Sequence, residues 1–147
     1  MPVAKIVILN WNGAEHLRRF LPSVVAAAPA GVEVVVADNG STDDSLRVLA
    51  TEFPSVGVLR LDANYGFAGG YNRALEQVRA DYYLLLNSDI ETPEGWLAPI
   101  LDVLEREPDV AVVSPKLISW TDRTKFEYAG ASGGFIDFLG YPFCRGR

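Results

Sequence analysis

The stretch Asp81-Tyr82-Tyr83-Leu84-Leu85-Leu86-Asn87-Ser88-Asp89 decides how the rest of the chain is interpreted. Its residues 82–86 are all aromatic or aliphatic, which is typical of a strand buried on both faces in the middle of a parallel sheet. Three polar residues end this run, and Pro93 blocks further strand pairing. Asp89 is therefore predicted to lie at the carboxyl end of a central strand, where open α/β sheets bind their ligands.

An aspartate at a strand end has two interpretations. Its carboxylate, with the neighbouring oxygens of Asn87 and Ser88, is a suitable ligand for a hard divalent cation. An isolated aspartate at such a position more often caps the turn that follows it. The other polar turns of the chain favour the functional interpretation.

The composition predicts one globular domain. The 147 residues are 49% hydrophobic and 22% charged, and a net charge of -6 argues against nucleic acid or an anionic membrane as the partner. No apolar run is long enough to cross a bilayer and the N-terminus lacks a signal peptide, so a cytoplasmic protein is expected. Cys144 is the single cysteine and His16 the single histidine, which excludes an internal disulfide and makes a zinc site unexpected.

Strand-like and helix-like patterns alternate along the chain. Strands are predicted at residues 3–9, 32–37, 56–61, 82–86, 110–113 and 116–120. Helices are predicted between the first four strands, and a further helix is predicted to begin at Thr92-Pro93. The alternation predicts an α/β fold, a three-layer α/β/α sandwich with a mainly parallel sheet.

Three of the predicted turns are rich in polar residues or glycine. The first strand runs into Asn10-Trp11-Asn12-Gly13, and the second into Asp38-Asn39-Gly40-Ser41-Thr42-Asp43. The third turn enters a helix through Asn64-Tyr65-Gly66-Phe67-Ala68-Gly69-Gly70-Tyr71-Asn72. Glycines there let backbone N–H groups approach an anionic ligand closely, although a tightly packed loop explains them equally well.

Three common motifs are absent from the sequence. The first turn lacks the Gly-x-Gly-x-x-Gly of dinucleotide-binding folds. The chain contains neither the Gly-x-x-x-x-Gly-Lys-Ser/Thr of P-loop phosphotransferases nor the Gly-x-Ser-x-Gly of α/β-hydrolases.

In their order along the chain, the three turns and Leu86-Asn87-Ser88-Asp89 resemble the motifs of family 2 glycosyltransferases, and most of all those of rhamnosyltransferase-type enzymes of bacterial cell-surface polysaccharide synthesis. The resemblance runs from about Val3 to Arg147. It implies a GT-A fold, which is the Rossmann-like fold of nucleotide-diphospho-sugar transferases. It also implies a dTDP-, UDP- or GDP-linked sugar donor, a glycan or lipid-linked acceptor and inverting transfer. The full-length enzyme is expected in the cytoplasm or peripherally at the inner face of the membrane.

The resemblance assigns donor-binding roles to particular residues. Those that match the nucleotide-sugar-binding motifs are Asn10, Asn12, Asp38, Gly69, Gly70, Asn72 and Asn87. Asp38 matches the acid that contacts the nucleotide base, and Asn10 and Asn12 line the same pocket. Gly69, Gly70 and Asn72 match a loop that closes over the donor.

The metal motif departs from the pattern of the family. Asp89 matches the last carboxylate of its Asp-x-Asp motif and is the expected ligand of Mg²⁺ or Mn²⁺, but Asn87 replaces the first Asp. An amide oxygen can coordinate a cation or reach the ribose, yet it brings no charge. A cation would still stabilise the charge that develops on the leaving nucleoside diphosphate.

The general base is the second departure. Inverting transfer needs a base for the acceptor hydroxyl, and in similar enzymes it lies in a Glu-Asp or Asp-Asp pair beyond the donor-binding half. Asp137 is the only late carboxylate of this chain that is a candidate. Residues 1–128 are therefore expected to form the nucleotide-sugar-binding domain, and residues 129–147 to begin a truncated acceptor-side region. Such a fragment would bind the donor without transferring it efficiently.

The tail from Gly130 to Phe143 is glycine-rich and aromatic, without a clear period. Exposed apolar stretches seek partners, so we expect this tail to be mobile or to be ordered by self-association through residues 130–147. Two alternative functions stay open. One is a sugar-phosphate nucleotidyltransferase, although the first turn has no basic residue, and the other is a non-catalytic module that binds nucleotide-sugars.

Overall fold

The computed structural model describes residues 4–128 and 133–144, and the chain forms two compact units, Met1–Leu97 and Ala98–Arg147. The strands of the first unit are β1 (Ala4–Asn10), β2 (Glu33–Asp38), β3 (Gly57–Arg60) and β4 (Tyr82–Asn87). Its helices are α1 (Ala14–Ala27), α2 (Ser45–Glu52) and α3 (Gly66–Gln77). The predicted alternation of strands and helices is confirmed in this unit.

The four strands form one parallel sheet in the order β3-β2-β1-β4. In the register of the sheet, Leu9 lies beside Ala37, and Ile8 lies beside Leu86. The carboxyl ends of β1, β2 and β4 therefore meet at the same end of the sheet, as the sequence predicts. Asp38 and Asp89 follow two of these strands at that end.

The strand order places helices on both faces of the sheet. The connections through α1 and α2 step from β1 to β2 to β3 in one direction, whereas α3 leads back across the sheet to β4. Because such crossovers are right-handed, α1 and α2 share one face and α3 covers the other. In agreement, α1 contacts α2, while α3 contacts β1 and β2. The predicted three-layer α/β/α arrangement is confirmed.

The core under α3 contains one face of the two central strands. Val7 and Ala37 pack with Tyr71, Ala74 and Val78 of α3, and all five are buried. Fully burying an aliphatic side chain contributes about 1.5–3 kcal/mol. The Tyr71 hydroxyl donates a hydrogen bond to the Leu86 carbonyl oxygen at 3.0 Å, so α3 is tied to β4 as well. Burial raises the pKa of Tyr71.

The prediction that residues 82–86 form a central strand was wrong for the described residues. Among residues 4–128 and 133–144, β4 is an edge strand of the four-stranded sheet and pairs only with β1. Tyr83 and Leu85 are 40% and 53% exposed. A run of apolar residues shows that both faces of a strand can be covered, but it does not say how many neighbours the strand has.

The second unit differs from its predicted course. Helix α4 (Ala98–Arg106) begins later than Thr92-Pro93, because Gly95 adopts a positive φ of 72° and turns the chain before the helix starts. Within the described residues 110–113 form no strand, and Val112 is exposed. The predicted strand at 116–120 is reduced to one bridge between Ile118 and Phe126. A short apolar run without a neighbouring strand has no partner for its backbone N–H and C=O groups, so it does not form a strand.

The tail has more regular structure than its sequence suggests. Strands β5 (Gly134–Ile136) and β6 (Pro142–Cys144) form an antiparallel hairpin, in which the rings of Phe135 and Phe143 stack. Residues 129–132 and 145–147 of the predicted tail lie outside the described residues. Across the described ranges, no helix has the length and apolar character needed to cross a membrane.

The close approach of α3 to β1 generates a prediction on stability. A Cβ at Gly70 would lie 2.8 Å from Leu9 Cδ1 and 3.0 Å from Asn39 Nδ2. Gly70→Ala should therefore push α3 off the sheet and destabilise the protein by about 1–3 kcal/mol. Urea unfolding followed by circular dichroism would measure the change.

Gly69→Ala is the matched control. A Cβ at Gly69 would meet only Tyr65 Cβ, at 3.3 Å, and alanine favours a helix over glycine by up to about 1 kcal/mol. Gly69→Ala should thus change stability by less than about 1 kcal/mol. Equal destabilisation by both substitutions would contradict the proposed close packing at Gly70.

Candidate functional site

The candidate site lies where the strand order of the sheet reverses. From β1 the chain builds outward to β2 and β3, and it then returns to place β4 on the other side of β1. Open α/β sheets bind ligands in the crevice outside the strand ends at such a switch point. The turns after β1 and β4 lie close together there, because a Cβ at Gly13 would be 3.8 Å from Ser88 Oγ.

Asn10 and Asp38 form a buried polar pair at this end of the sheet. They are 0% and 2% exposed, and Asn10 Nδ2 donates to Asp38 Oδ1 at 3.2 Å. The backbone N–H of Ser41 donates to Asp38 Oδ2 at 3.0 Å, and Asn10 Nδ2 also donates to Ser41 Oγ. Each carboxylate oxygen of Asp38 therefore accepts one hydrogen bond from within the chain and keeps a second lone pair.

The other atom of the Asn10 amide is in a different situation. Asn10 Oδ1 is buried and accepts no hydrogen bond from the described part of the chain. A Cβ at Gly13 would lie 2.4 Å from it, so the turn after β1 must contain glycine at this position. A buried acceptor without a donor is uncommon in folded proteins, because leaving it unpaired costs about 1–3 kcal/mol.

Asn12 links two turns of the site. It has a positive φ of 50°, which asparagine tolerates better than most residues. Its Oδ1 accepts hydrogen bonds from the backbone N–H groups of Thr42 at 2.7 Å and Asp43 at 3.3 Å. Its own N–H donates to Ser41 Oγ at 2.9 Å. The side chain of Asn12 is thus bonded to the turn after β2, although the residue is exposed.

The same turn also caps the start of α1. The Gly13 N–H donates to Ser45 Oγ at 3.2 Å, and the Ala14 N–H donates to Asp43 Oδ2 at 3.0 Å. Burial alone would raise the pKa of Asp43, but hydrogen bonds from Ser45 and Ala14 outweigh it and hold the pKa below its ordinary value. Asp43 is therefore ionised near neutral pH, where its charge favours the N-terminus of α1.

The glycine-rich segment is not the loop that was predicted. Gly69, Gly70 and Asn72 all lie within α3, which begins at Gly66. Asn64 Oδ1 accepts the Gly66 N–H at 2.8 Å, and this bond supports the turn into the helix. Gly70 is buried against Leu9, while Asn72 is exposed. The backbone N–H groups of the first turn of such a helix have no partners within the helix.

Two residues of the site were missed by the sequence analysis. Trp11 is 56% exposed beside the buried Asn10, and an aromatic residue interrupting a polar turn was the signal for it. Asn39 is 2% exposed and joins the turn after β2 to the turn before α3 through hydrogen bonds to Asn64 and Gly66. Its sequence position beside Asp38 gave no sign of this contact.

The residues predicted to bind a metal ion lie together at the end of β4. Asn87 and Asp89 are both exposed, two residues apart. No group of three or more His, Cys, Asp or Glu side chains that could hold a metal ion occurs within residues 4–128 and 133–144. This donor set does not build a complete protein cage, but it fits Mg²⁺, which is often held by one or two carboxylates and substrate phosphates.

Asp137, the late candidate for a general base, has a structural role. Its Oδ1 accepts the backbone N–H groups of Leu139 at 2.9 Å and Tyr141 at 3.0 Å. These bonds close the turn of the β5–β6 hairpin.

Comparisons with known proteins agree with this geometry. The sequence model described as "Glycosyl transferase family 2" matches residues 5–139. The chain is 29% identical, over 124 residues, to N-acetylglucosaminyl-diphospho-decaprenol L-rhamnosyltransferase of Mycobacterium tuberculosis, covering 77% of this chain and 40% of that protein. It is 31% identical, over 142 residues, to human polypeptide N-acetylgalactosaminyltransferase 16, covering 92% of this chain and 25% of that protein.

A solved structure shows the same fold. The crystal structure of S. aureus TarS 1-349 in complex with UDP-GlcNAc superimposes with a TM-score of 0.62 and 24% sequence identity. The match covers 71% of this chain and 32% of the TarS chain. This chain therefore spans less than half the length of each of these relatives.

The match to the family covers nearly all of the described chain, and the parallel sheet with its site at the switch point is the GT-A arrangement that the sequence predicted. The chain belongs to glycosyl transferase family 2.

Proposed function

We propose that this chain binds the nucleotide-diphosphate sugar donor of an inverting glycosyl transfer. The observation that carries the proposal is the convergence of three features at the switch point of the sheet. These are the buried Asn10–Asp38 pair, the start of α3 and the Asn87–Asp89 strand end. The likeness to TarS, which was solved with UDP-GlcNAc and with UDP, supports a nucleotide-sugar as the ligand.

The proposed sugar and acceptor are supported by the name of one relative. Rhamnose is the proposed sugar, since the mycobacterial relative is named an L-rhamnosyltransferase. The same name supports a lipid-linked acceptor, and a glycan is the alternative. The proposed donor is linked to dTDP, UDP or GDP, and the proposed role is cell-surface polysaccharide synthesis.

Trp11 and Asp38 are the residues that we assign to the nucleotide base. The exposed indole of Trp11 offers a flat face for stacking, which contributes about 1–3 kcal/mol per base in other proteins. The carboxylate of Asp38 provides the acceptor for an N–H of the base, most simply N3 of uracil or thymine. Asn10 holds that carboxylate in place, and Asn12 holds the two turns together.

The diphosphate is assigned to the other two features. The Gly66 N–H is bonded to Asn64, and the backbone N–H groups that follow it in the first turn of α3 favour an anionic group. Asp89, with the amide of Asn87, would hold Mg²⁺ or Mn²⁺ together with the phosphates. A cation bound there supplies positive charge beside the leaving group.

Donor binding without transfer is the activity that we propose for residues 1–147 alone. Asp137 accepts two backbone N–H groups that close the hairpin turn, so we assign it this structural role and not that of the general base. Loss of a general base lowers the rate by typically 10²–10⁴-fold. The hairpin is exposed, and Phe138 in its turn is 95% exposed. We assign the hairpin to the proposed acceptor-side region at residues 129–147. We also propose that this region self-associates.

The Asp38→Asn substitution tests the assignment of the base site. It exchanges an acceptor oxygen for a donor, which leaves an N–H of the base facing another N–H. Affinity for UDP or dTDP should fall about ten- to a hundredfold, from the roughly 1–3 kcal/mol attached to an unpaired polar group. Calorimetric titration with a panel of UDP, dTDP, GDP and their sugars would measure this change and identify the preferred base.

Asp43→Asn provides the matched control for Asp38→Asn. Asp43 lies in the same turn and also accepts backbone N–H groups, but it is bonded to the start of α1. Asp43→Asn should therefore retain an affinity close to that of the wild type. The assignment would be wrong if Asp38→Asn bound UDP and dTDP normally, or if both substitutions weakened binding equally.

The metal assignment is tested by restoring or removing a carboxylate at the end of β4. Asp89→Ala should abolish any gain in nucleotide affinity that Mg²⁺ or Mn²⁺ produces. Asn87→Asp should increase that gain, because it adds a charged oxygen to the same strand end. Titration of UDP with and without each cation would measure both effects.

Glu91→Ala is the control for the loss of a nearby acidic residue, and it should leave the metal-dependent gain unchanged. Persistence of the gain in Asp89→Ala, with its loss in Glu91→Ala, would move the metal site from Asp89 to Glu91.

A further inference from the structure

Asn39 is a buried residue whose side-chain amide is fully engaged. Its Oδ1 accepts the backbone N–H of Tyr65 at 3.0 Å. Its Nδ2 donates to Asn64 Oδ1 at 3.1 Å and to the Gly66 carbonyl oxygen at 3.0 Å. Both amide protons therefore have acceptors on the Asn64–Gly66 turn. Among the standard side chains of this size, only an amide supplies one acceptor and two donors in this arrangement.

The backbone around Asn39 packs directly on the same turn. Gly40 has a positive φ of 74°, and a Cβ there would lie 2.7 Å from the Ala63 carbonyl carbon and 2.9 Å from the Asn64 nitrogen. On the other side, a Cβ at Gly70 would approach Asn39 Nδ2 at 3.0 Å. The amide is therefore enclosed between the turn that precedes α3 and the first turns of the helix.

We propose that Asn39 is a positioning residue for the donor diphosphate. Its amide fixes the Asn64–Gly66 turn, and through it the first turn of α3, against the ends of β1 and β2. The proposal rests on the proposed donor binding and adds a residue that acts through α3 and has no contact with the base. A segment that is ordered before binding spares the ligand the entropic cost of ordering it.

This role predicts a selective defect. If Asn39 orders the start of α3, its loss should lower the affinity for ligands that carry a diphosphate and leave the affinity for nucleosides unchanged. The turn should also open more often in the absence of any ligand. Both effects are measurable on the whole 147-residue chain.

Asn39→Asp is the principal test. The substitution keeps the acceptor for the Tyr65 N–H but turns an oxygen toward Asn64 Oδ1 and the Gly66 carbonyl, which are both acceptors. Asn64→Asp is the matched control, since it adds the same negative charge to the same turn while keeping an oxygen for Asn39 Nδ2 and the Gly66 N–H. Hydrogen exchange across residues 64–70 and titrations with UDP, uridine, dTDP and thymidine would compare the two.

We expect hydrogen exchange at residues 64–70 to be about ten- to a hundredfold faster in Asn39→Asp. The substitution removes buried hydrogen bonds that oppose local opening of the turn, so the turn opens more often. Affinity for UDP or dTDP should fall by at least about tenfold, with unchanged affinity for the nucleoside. Asn64→Asp should behave like the wild type in exchange. Asn64→Ala removes the hydrogen bond between Asn39 and Asn64 by changing the exposed partner. It should reproduce the faster exchange and the lower UDP or dTDP affinity even if Asn39→Asp fails to fold.

Three results would overturn the proposal. Unchanged exchange at residues 64–70 in both Asn39→Asp and Asn64→Ala would show that the amide does not hold the turn. Equal losses of UDP and uridine affinity would show that Asn39 contacts the base directly. Equal losses in Asn39→Asp and Asn64→Asp would show that charge alone is responsible. If the wild type binds no nucleotide, the proposed function fails, and hydrogen exchange still decides whether Asn39 orders the turn.

Discussion

Buried side-chain amides hold the carboxyl end of the sheet together. Parallel strands leave several turns at the same end of a sheet, and the polar groups of those turns must find partners or remain exposed to water. Asn10 joins the turn after β1 to Asp38, and Asn39 joins the turn after β2 to the start of α3. Because an unpaired buried polar group costs about 1–3 kcal/mol, these contacts favour one arrangement of the turns. The positions of the turns after β1 and β2 and of the start of α3 depend on that arrangement.

Much of the fold was predictable because its determinants are local. The buried face of α1, with Leu17, Phe20 and Leu21, follows from helical spacing, and the shared end of β1, β2 and β4 follows from parallel pairing. The position of β4 within the sheet was not predictable. Its apolar run describes the faces of the strand, whereas the number of neighbours depends on residues far away in the sequence. The β5–β6 hairpin was missed for a different reason: its turn is local, but it is organised by the side chain of Asp137, and the sequence shows no regular period there.

The sequence also located the candidate site better than it assigned roles within it. Its asparagines and glycines do lie at the strand ends, but the same donor and acceptor atoms suit a ligand or a neighbouring turn. Asn12 is bonded to Thr42 and Asp43, and Gly70 is packed on Leu9. Family membership favours a glycosyltransferase over the nucleotidyltransferase alternative.

The hydrogen bonds between these turns distinguish residues that are constrained by folding from residues that are constrained only by ligand binding. A descendant that no longer bound the proposed donor would still depend on Asn10, Asn39 and Gly70 for its folded structure, because these residues are buried against other parts of the chain. The exposed Trp11, Asn72 and Asp89 carry no comparable burden. A related chain that had lost the proposed donor binding would therefore keep most of the family signature and change first at those three positions. Under the proposed function, the identities of these three residues are the better guide to whether a related sequence still binds the donor.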